Sequence, residues 1–339
     1  MIKQTLRIAM AVPMVPLMLS MFSRWIIWMT IPLRIVWELY QCLYPPSEIV
    51  EETKQQNGKN GHHVAANEKD HSVAKEQAQF WKETAEQDQW WSPNGIMTAL
   101  KRFNTVRLRL IAESYLKHTL GLEATWEDSF RLDALPLSGA RICDVGSGGG
   151  ILTEALAKSG ATVVGIDIMA PAIGAAKRHW NETHDQQEGV IAPEYVCQSL
   201  ASYVEEASGR FDVVVCSEVL EHVNNPRAFA ALCCKLVRPG GCVVFTTVNR
   251  TIYSLLFCMI LFEDVLGILP RWVHRLYLCV KPEEIREVTD KMNFKTVKTE
   301  GNLWMPLSLN ILNNTAKMNY VPHWFTGLGY SVIAKRGES

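Results

Sequence analysis

Two acids and an imidazole fall within one turn of the chain: Glu218, Glu221 and His222, in Ser217-Glu218-Val219-Leu220-Glu221-His222-Val223. Their i, i+3, i+4 spacing puts all three on one face if the turn is helical. Two carboxylates and an imidazole can ligate a divalent cation, although magnesium prefers oxygen and histidine is a soft partner for it. The same residues admit two plainer readings. One of them can serve as a metal-free general base, or the acids simply mark a helix start, where the dipole favours them. The residues alone do not choose.

A second chemical feature lies upstream, in Ile142-Cys143-Asp144-Val145-Gly146-Ser147-Gly148-Gly149-Gly150-Ile151-Leu152. An apolar strand running into a glycine turn and then a helix brings a ligand close to bare backbone. The N–H groups opening that helix can face an anion. A dinucleotide fingerprint begun at Gly146 would need glycine at position 151, and Ile151 is there instead. Asp167 closes the next apolar run, 21 positions beyond Gly146, where an acid accepts hydrogen bonds from ribose hydroxyls.

These residues need a scaffold that brings strand ends to one edge, and the patterning supplies it. Short apolar runs at Arg141–Val145, Thr162–Asp167, Tyr195–Cys197, Phe211–Cys216, Cys242–Val248, Lys295–Thr299 and Tyr330–Lys335 predict strands. Helical periodicity falls between them at Ile151–Lys158, Ala172–Asn181, Arg227–Val237 and Pro282–Lys291. The alternation predicts an α/β fold with a Rossmann-like, seven-stranded, doubly wound sheet. Phe80-Trp81, Trp90-Trp91 and the run Val106 to Leu116 predict N-terminal helices packed onto it.

The residues carry a resemblance. Asp144-Val145-Gly146-x-Gly148-Gly149-Gly150 resembles motif I of class I S-adenosylmethionine methyltransferases. More narrowly, the chain resembles the ubiquinone-biosynthesis O-methyltransferases, which methylate polyprenyl catechols. The match begins at Phe80 and runs through Trp90-Trp91, Asn104-Thr105-Val106-Arg107, Ser217 to Val223, Arg238-Pro239-Gly240-Gly241 and Asn249-Arg250. It goes on through His274 ahead of Lys281-Pro282-Glu283-Glu284, and ends at Asn319-Tyr320. Ser147 stands where the family usually has Cys, and Thr105 where it usually has Pro. The resemblance implies S-adenosylmethionine as cofactor, with contacts from Arg107, Gly146, Asp167 and Ser217. It also implies magnesium on Glu218, Glu221 and His222, which are then the catalytic residues as well. A cation on both oxygens of a catechol would ease its deprotonation. The implied reaction is methyl transfer to a phenolic hydroxyl of a polyprenylated catechol or quinol. The alternatives are a silent scaffold subunit of a biosynthetic complex and O-methylation of another small phenol.

Composition narrows the setting. Lys plus Arg number 34 against 35 for Asp plus Glu, and the formal net charge of -1 gives nucleic acid no basic surface. Nine cysteines without a C-x-x-C pair read as small buried hydrophobes in a reducing compartment. Residues 1–44 are apolar and basic, with no acid before Glu38, and read as a targeting or anchoring segment. Residues 45–78 read as a disordered linker, and 79–339 as the methyltransferase domain. Within that domain, 250–281 form a long apolar insert after the fifth strand. Its run Thr251–Phe262 is 12 residues long, too short to span a bilayer, and we read it as a membrane or substrate lid with Leu255, Leu256, Phe257 and Phe262 facing lipid. The expected setting is the matrix side of the inner mitochondrial membrane, as a peripheral protein beside other ubiquinone-biosynthesis proteins.

Overall fold

The computed structural model describes residues 30–45, 81–84, 90–93, 97–122, 135–183, 189–267, 269, 271–310 and 315–338, with backbone alone over 303–323. The expected targeting stretch before residue 30 and nearly all of the expected linker lie outside these residues.

Five strands build the parallel half of the sheet: β1 (Arg141–Val145), β2 (Thr162–Asp167), β3 (Glu194–Cys197), β4 (Phe211–Ser217) and β5 (Val237–Val248). β6 (Phe294–Asn310), β7 (Thr315–His323) and β8 (Gly329–Arg336) complete it in the order β3-β2-β1-β4-β5-β8-β6-β7. β8 lies antiparallel between β5 and β6. The seven expected strands are all present, and β7 adds an eighth at the edge, antiparallel to β6.

Along β1 and β4 every residue but Arg141 is buried, as expected of strands covered on both faces. Successive side chains point to opposite faces, so the two cores interleave. Cys143, Val214 and Cys216 belong to one core cluster, while Ile142, Val213 and Val215 belong to the other. The helices divide accordingly. α1 (residues 30–43) precedes α2 (Thr98–Glu113), α3 (Ile151–Lys158), α4 (Ala170–Thr183), α5 (Leu200–Ala207) and α6 (Pro226–Leu236). α2, α3 and α4 cover one face, and α5 and α6 the other. α6 opens with Pro226 at its first turn and the Asn225 side chain accepting from Ala228 N–H at 3.1 Å, a start that leaves few orphan donors.

The insert is helical. α7 is α-wound over Ile252–Ser254 and π-wound over Leu255–Val265, and α8 (Pro282–Lys291) follows an irregular stretch. Leu255, Cys258, Met259 and Ile260 pack with Val248, Leu276 and Cys279 into a third core, against which Ile31, Ile35 and Cys42 of α1 lie. This corrects the expected lipid-facing set. Leu255, packed into that core, is 0% exposed and Phe262 8%, whereas the expected Leu256 and Phe257, with Ile252 and Tyr253, are 42–48% exposed. No helix among the described residues is long and apolar enough to cross a membrane. Seven of the nine cysteines are buried and all are free, in keeping with their expected role as small hydrophobes.

Candidate active site

β1, β2 and β4 end at one edge, and the loops leaving them meet there. After β1, Gly146 turns with φ +75° and donates its N–H to Ile166 O at 2.8 Å. A Cβ there would come within 2.5 Å of a Val219 methyl, so glycine is required twice over. After β2, the Asp167 carboxylate accepts from Gly148 N–H at 2.9 Å and from Met169 N–H at 2.8 Å. Burial raises its pKa, opposed by those backbone donors. Asp144, near the end of β1, accepts the Thr153 hydroxyl at 2.6 Å and is pushed up to about 6, chiefly by burial.

Trp90 roofs this loop. A Cβ on Gly149 would meet its ring at 2.4 Å, and Trp91 Nε1–H donates to Gly149 O at 2.8 Å. Both indoles come from the segment before α2, which Lys101 ties down through Trp91 O at 2.9 Å, while Asn104 ties α2 itself to Ile151 O at 2.9 Å.

Arg107, expected at the cofactor, is buried where α2 crosses the β4 end. It donates to Ser217 Oγ at 3.3 Å, to Leu100 O at 2.8 Å and to Asn104 Oδ1. The Ser217 hydroxyl meets Thr246 Oγ1 at 2.8 Å, and Thr246 donates to Glu218 Oε1 at 2.8 Å. Arg107, Gly146, Asp167 and Ser217 line one cavity together with Glu218, Val219 and His222.

The acidic turn is tighter than an α-helix: Leu220–His222 form one 3-10 turn, and Glu218 sits at φ +56° with its N–H on Thr246 O at 2.8 Å. A non-glycine residue in that region is strained, a cost that surrounding structure must offset. The turn also changes which side chains meet. Glu221 and His222 converge with His274, with one ligand atom from each within 4.8 Å of the others. Glu218 is outside that trio and turns to Thr246. Glu221 is 0% exposed; its Oε2 accepts the Thr247 hydroxyl at 2.7 Å, and among the described residues its Oε1 has no hydrogen-bond partner. Burial and the neighbouring Glu218 charge push it up to about 8. Burial raises Glu218 too, with Thr246 and Arg107 opposing. Burial, with His274 next to it, holds His222 well below the usual imidazole range, so its ring is neutral. For His274, burial works against the proton, but the hydrogen bond and charge of Glu263 outweigh it and raise the pKa.

A buried carboxylate oxygen without a donor beside two imidazoles fits a divalent cation. Two nitrogens and a carboxylate suit borderline metals such as manganese or zinc at least as well as magnesium. Three participants carried no signal of their own in the pattern. Trp81, whose ring edges onto His222 at 5.0 Å, stood only as a packing aromatic, Trp90 as a packing aromatic and part of the resemblance, and His274 only as part of the resemblance.

Residues 122–299 match a family described as a methyltransferase domain. A ubiquinone biosynthesis O-methyltransferase from Idiomarina loihiensis is 33% identical over 68% of this chain and 86% of its own length. One from Thiobacillus denitrificans is 36% identical over 65% and 83%. Among solved structures, magnesium protoporphyrin IX methyltransferase from Synechocystis PCC 6803 aligns with TM-score 0.47 and 17% identity over 76% of this chain and 97% of that one. With a third of the aligned residues identical across 86% of the Idiomarina loihiensis relative's length, the chain belongs to the ubiquinone biosynthesis O-methyltransferase family.

Proposed function

We propose that this S-adenosylmethionine-dependent O-methyltransferase acts on a phenolic hydroxyl of a polyprenylated catechol or quinol in ubiquinone biosynthesis. The observation that carries the reading is the single cavity bounded by the glycine loop with Asp167 on one side and by Glu218 and His222 on the other. The first wall suits a nucleoside with a charged amino-acid tail, and the second suits a phenol that must lose a proton. S-adenosylmethionine, when bound, supplies a methyl group already activated on a sulfonium. Asp167 and the bare backbone of the Gly146–Gly150 loop would hold the cofactor; Arg107, Ser217 and Thr246 fix Glu218 beside it. The indoles of Trp81 and Trp90 exclude water from the reacting centre.

Neutral His222 is a proton acceptor within reach of a phenol in this cavity. Glu221, His222 and His274 would hold a divalent cation, with magnesium the ion the resemblance implies. Such an ion lowers the pKa of a bound phenol. Turnover measured after exhaustive chelation and again after adding magnesium or manganese decides the point. Loss and recovery support the ion, and undiminished turnover leaves His222 as a metal-free base.

The setting we propose is the matrix face of the inner mitochondrial membrane, in company with other ubiquinone-biosynthesis proteins. An apolar skin on one side supports it: Ile252, Tyr253, Leu256 and Phe257 on α7, with Leu33, Val36, Trp37, Tyr40 and Leu43 on α1, are all more than 40% exposed. Aromatic and aliphatic side chains beside Arg271 suit a headgroup region. A substrate with a prenyl tail would then present its ring without leaving the lipid.

A further inference from the structure

α1 lies outside the part of the chain that resembles the family, yet it reaches the candidate site. Its residues Arg34 and Glu38, one turn apart on the same face, are 4% and 0% exposed. Charged residues are seldom so buried without partners, and both have them on the segment that carries His274. The Arg34 guanidinium donates to Glu263 Oε2 at 2.7 Å, pairs with Asp264 at 2.6 Å and reaches Met259 O at 3.3 Å. Glu38 Oε2 accepts Leu276 N–H at 2.9 Å, and its Oε1 pairs with Arg275 at 3.3 Å.

Glu263 links these contacts to the site. Its Oε1 accepts both the backbone N–H and the Nδ1–H of His274, at 3.1 and 2.8 Å, while Oε2 takes Trp272 N–H at 2.9 Å as well as Arg34. With Nδ1 thus engaged, the free nitrogen of His274 is Nε2, the one left for a ligand or a proton. The backbone on both sides of His274 is therefore tied down, by Glu263 before it and by Glu38 after it. Trp272 sits at φ +68°, a strained turn for a bulky residue, with the guanidiniums of Arg34 and Arg275 over its ring at 4.3 and 4.8 Å.

We propose that α1 is a positioning element of the active site. Arg34, through Glu263, and Glu38, through Leu276, hold the His274 ring against Glu221 and His222. The inference rests on the reading of those three residues as the working cluster. Neither Arg34 nor Glu38 touches the cavity's reacting region; each acts through the loop from Trp272 to Leu276.

The test uses the full chain in detergent, carrying Arg34→Met, Arg34→Lys, His274→Ala and the Arg34→Met/His274→Ala pair. Two readouts are taken: steady-state methyl transfer, and the ring-nitrogen NMR signals of labelled histidines. Arg34→Met should lower kcat by about tenfold or more, the usual scale for losing an outer partner of a ligand. The KM for S-adenosylmethionine should stay unchanged, and Arg34→Lys, which keeps the cation, should restore most of the rate. On the His274→Ala background Arg34→Met should have no further effect, since its influence passes through the missing ring. The His274 ring signals should move in Arg34→Met, while those of His179, on α4 with Glu154 as its partner, stay put. A wild-type rate in Arg34→Met would overturn the proposal, as would an equal loss with and without His274. A fully active His274→Ala would instead strike the reading of the cluster. The NMR signals then decide for α1: movement upholds its hold on the ring, and none refutes it.

Discussion

At the residue scale, the site is held by carboxylates in surroundings that resist their charge. Asp167 spends its oxygens on Gly148 and Met169 N–H groups, so a bound ribose must share or replace those donors. Replacing Asp167 with Ala removes the ribose acceptor and unpins the glycine loop, and cofactor affinity should fall by about 1–3 kcal/mol, the scale for unpaired polar groups. Gly146→Val should be worse, since its side chain collides with Val219 at a positive φ. Calorimetric titration with S-adenosylhomocysteine checks both, and wild-type affinity in either variant would contradict these assignments. Asp144 gives a pH signature. Its pKa is pushed up to about 6 by burial, so the folded state binds the proton more tightly than the unfolded one. Its contribution to stability is fully present below about pH 4 and lost as the pH rises through about 6. Asp144→Asn should remove that slope, a difference of up to about 3 kcal/mol between those limits. Denaturant unfolding of both proteins across the range measures it, and parallel pH profiles would count against a raised Asp144. Much of this scale was legible in the sequence. The glycine turn, Asp167 and the Glu218–His222 turn read directly, because each lies within one local pattern. His274 and Glu263 did not, because spacing reports only neighbours on one element. His274 comes from the irregular stretch after α7, and Glu263 meets it from within α7.

At the scale of elements, strands read well wherever they are buried on both faces, as β1 and β4 are. The end of the sheet read less well. β6 extends to Asn310, past the expected end at Thr299, through an irregularity at Pro306, and β7 contains Pro322. Proline inside an apolar run argues against a central strand, but an edge or a bulge tolerates it, and that is where these two lie. The insert is the other gap. An apolar run shows that something is covered, yet the packing of the helix decides which residues face out, and Leu255 and Phe262 face in. The outward set is therefore the one to test. Ser at Ile252, Tyr253, Leu256 and Phe257 together should weaken sedimentation of the full chain with anionic liposomes while leaving its melting temperature nearly unchanged. Binding equal to wild type would show that α7 adds nothing to it.

At the scale of the whole molecule, fold and family make a methyltransferase, and three distant segments of the chain make this site. The loops after β1, β2 and β4 bring the glycine turn, Asp167 and the acidic turn to one edge; the segment before α2 lays Trp81 and Trp90 over it; and the insert returns His274 to the cluster. A scaffold without activity would have no use for a buried Glu221 oxygen that, among the described residues, lacks a partner next to two imidazoles. Such a group costs stability unless a ligand satisfies it. The most direct measurement incubates the full chain with isotopically labelled S-adenosylmethionine, a divalent cation and a short-chain prenyl dihydroxybenzoate, then locates the label by NMR. The expected product carries a labelled methoxy carbon on the ring, formed in equal amount with S-adenosylhomocysteine. No labelled product, or label on a ring carbon or the carboxylate instead, would contradict O-methyl transfer at this site.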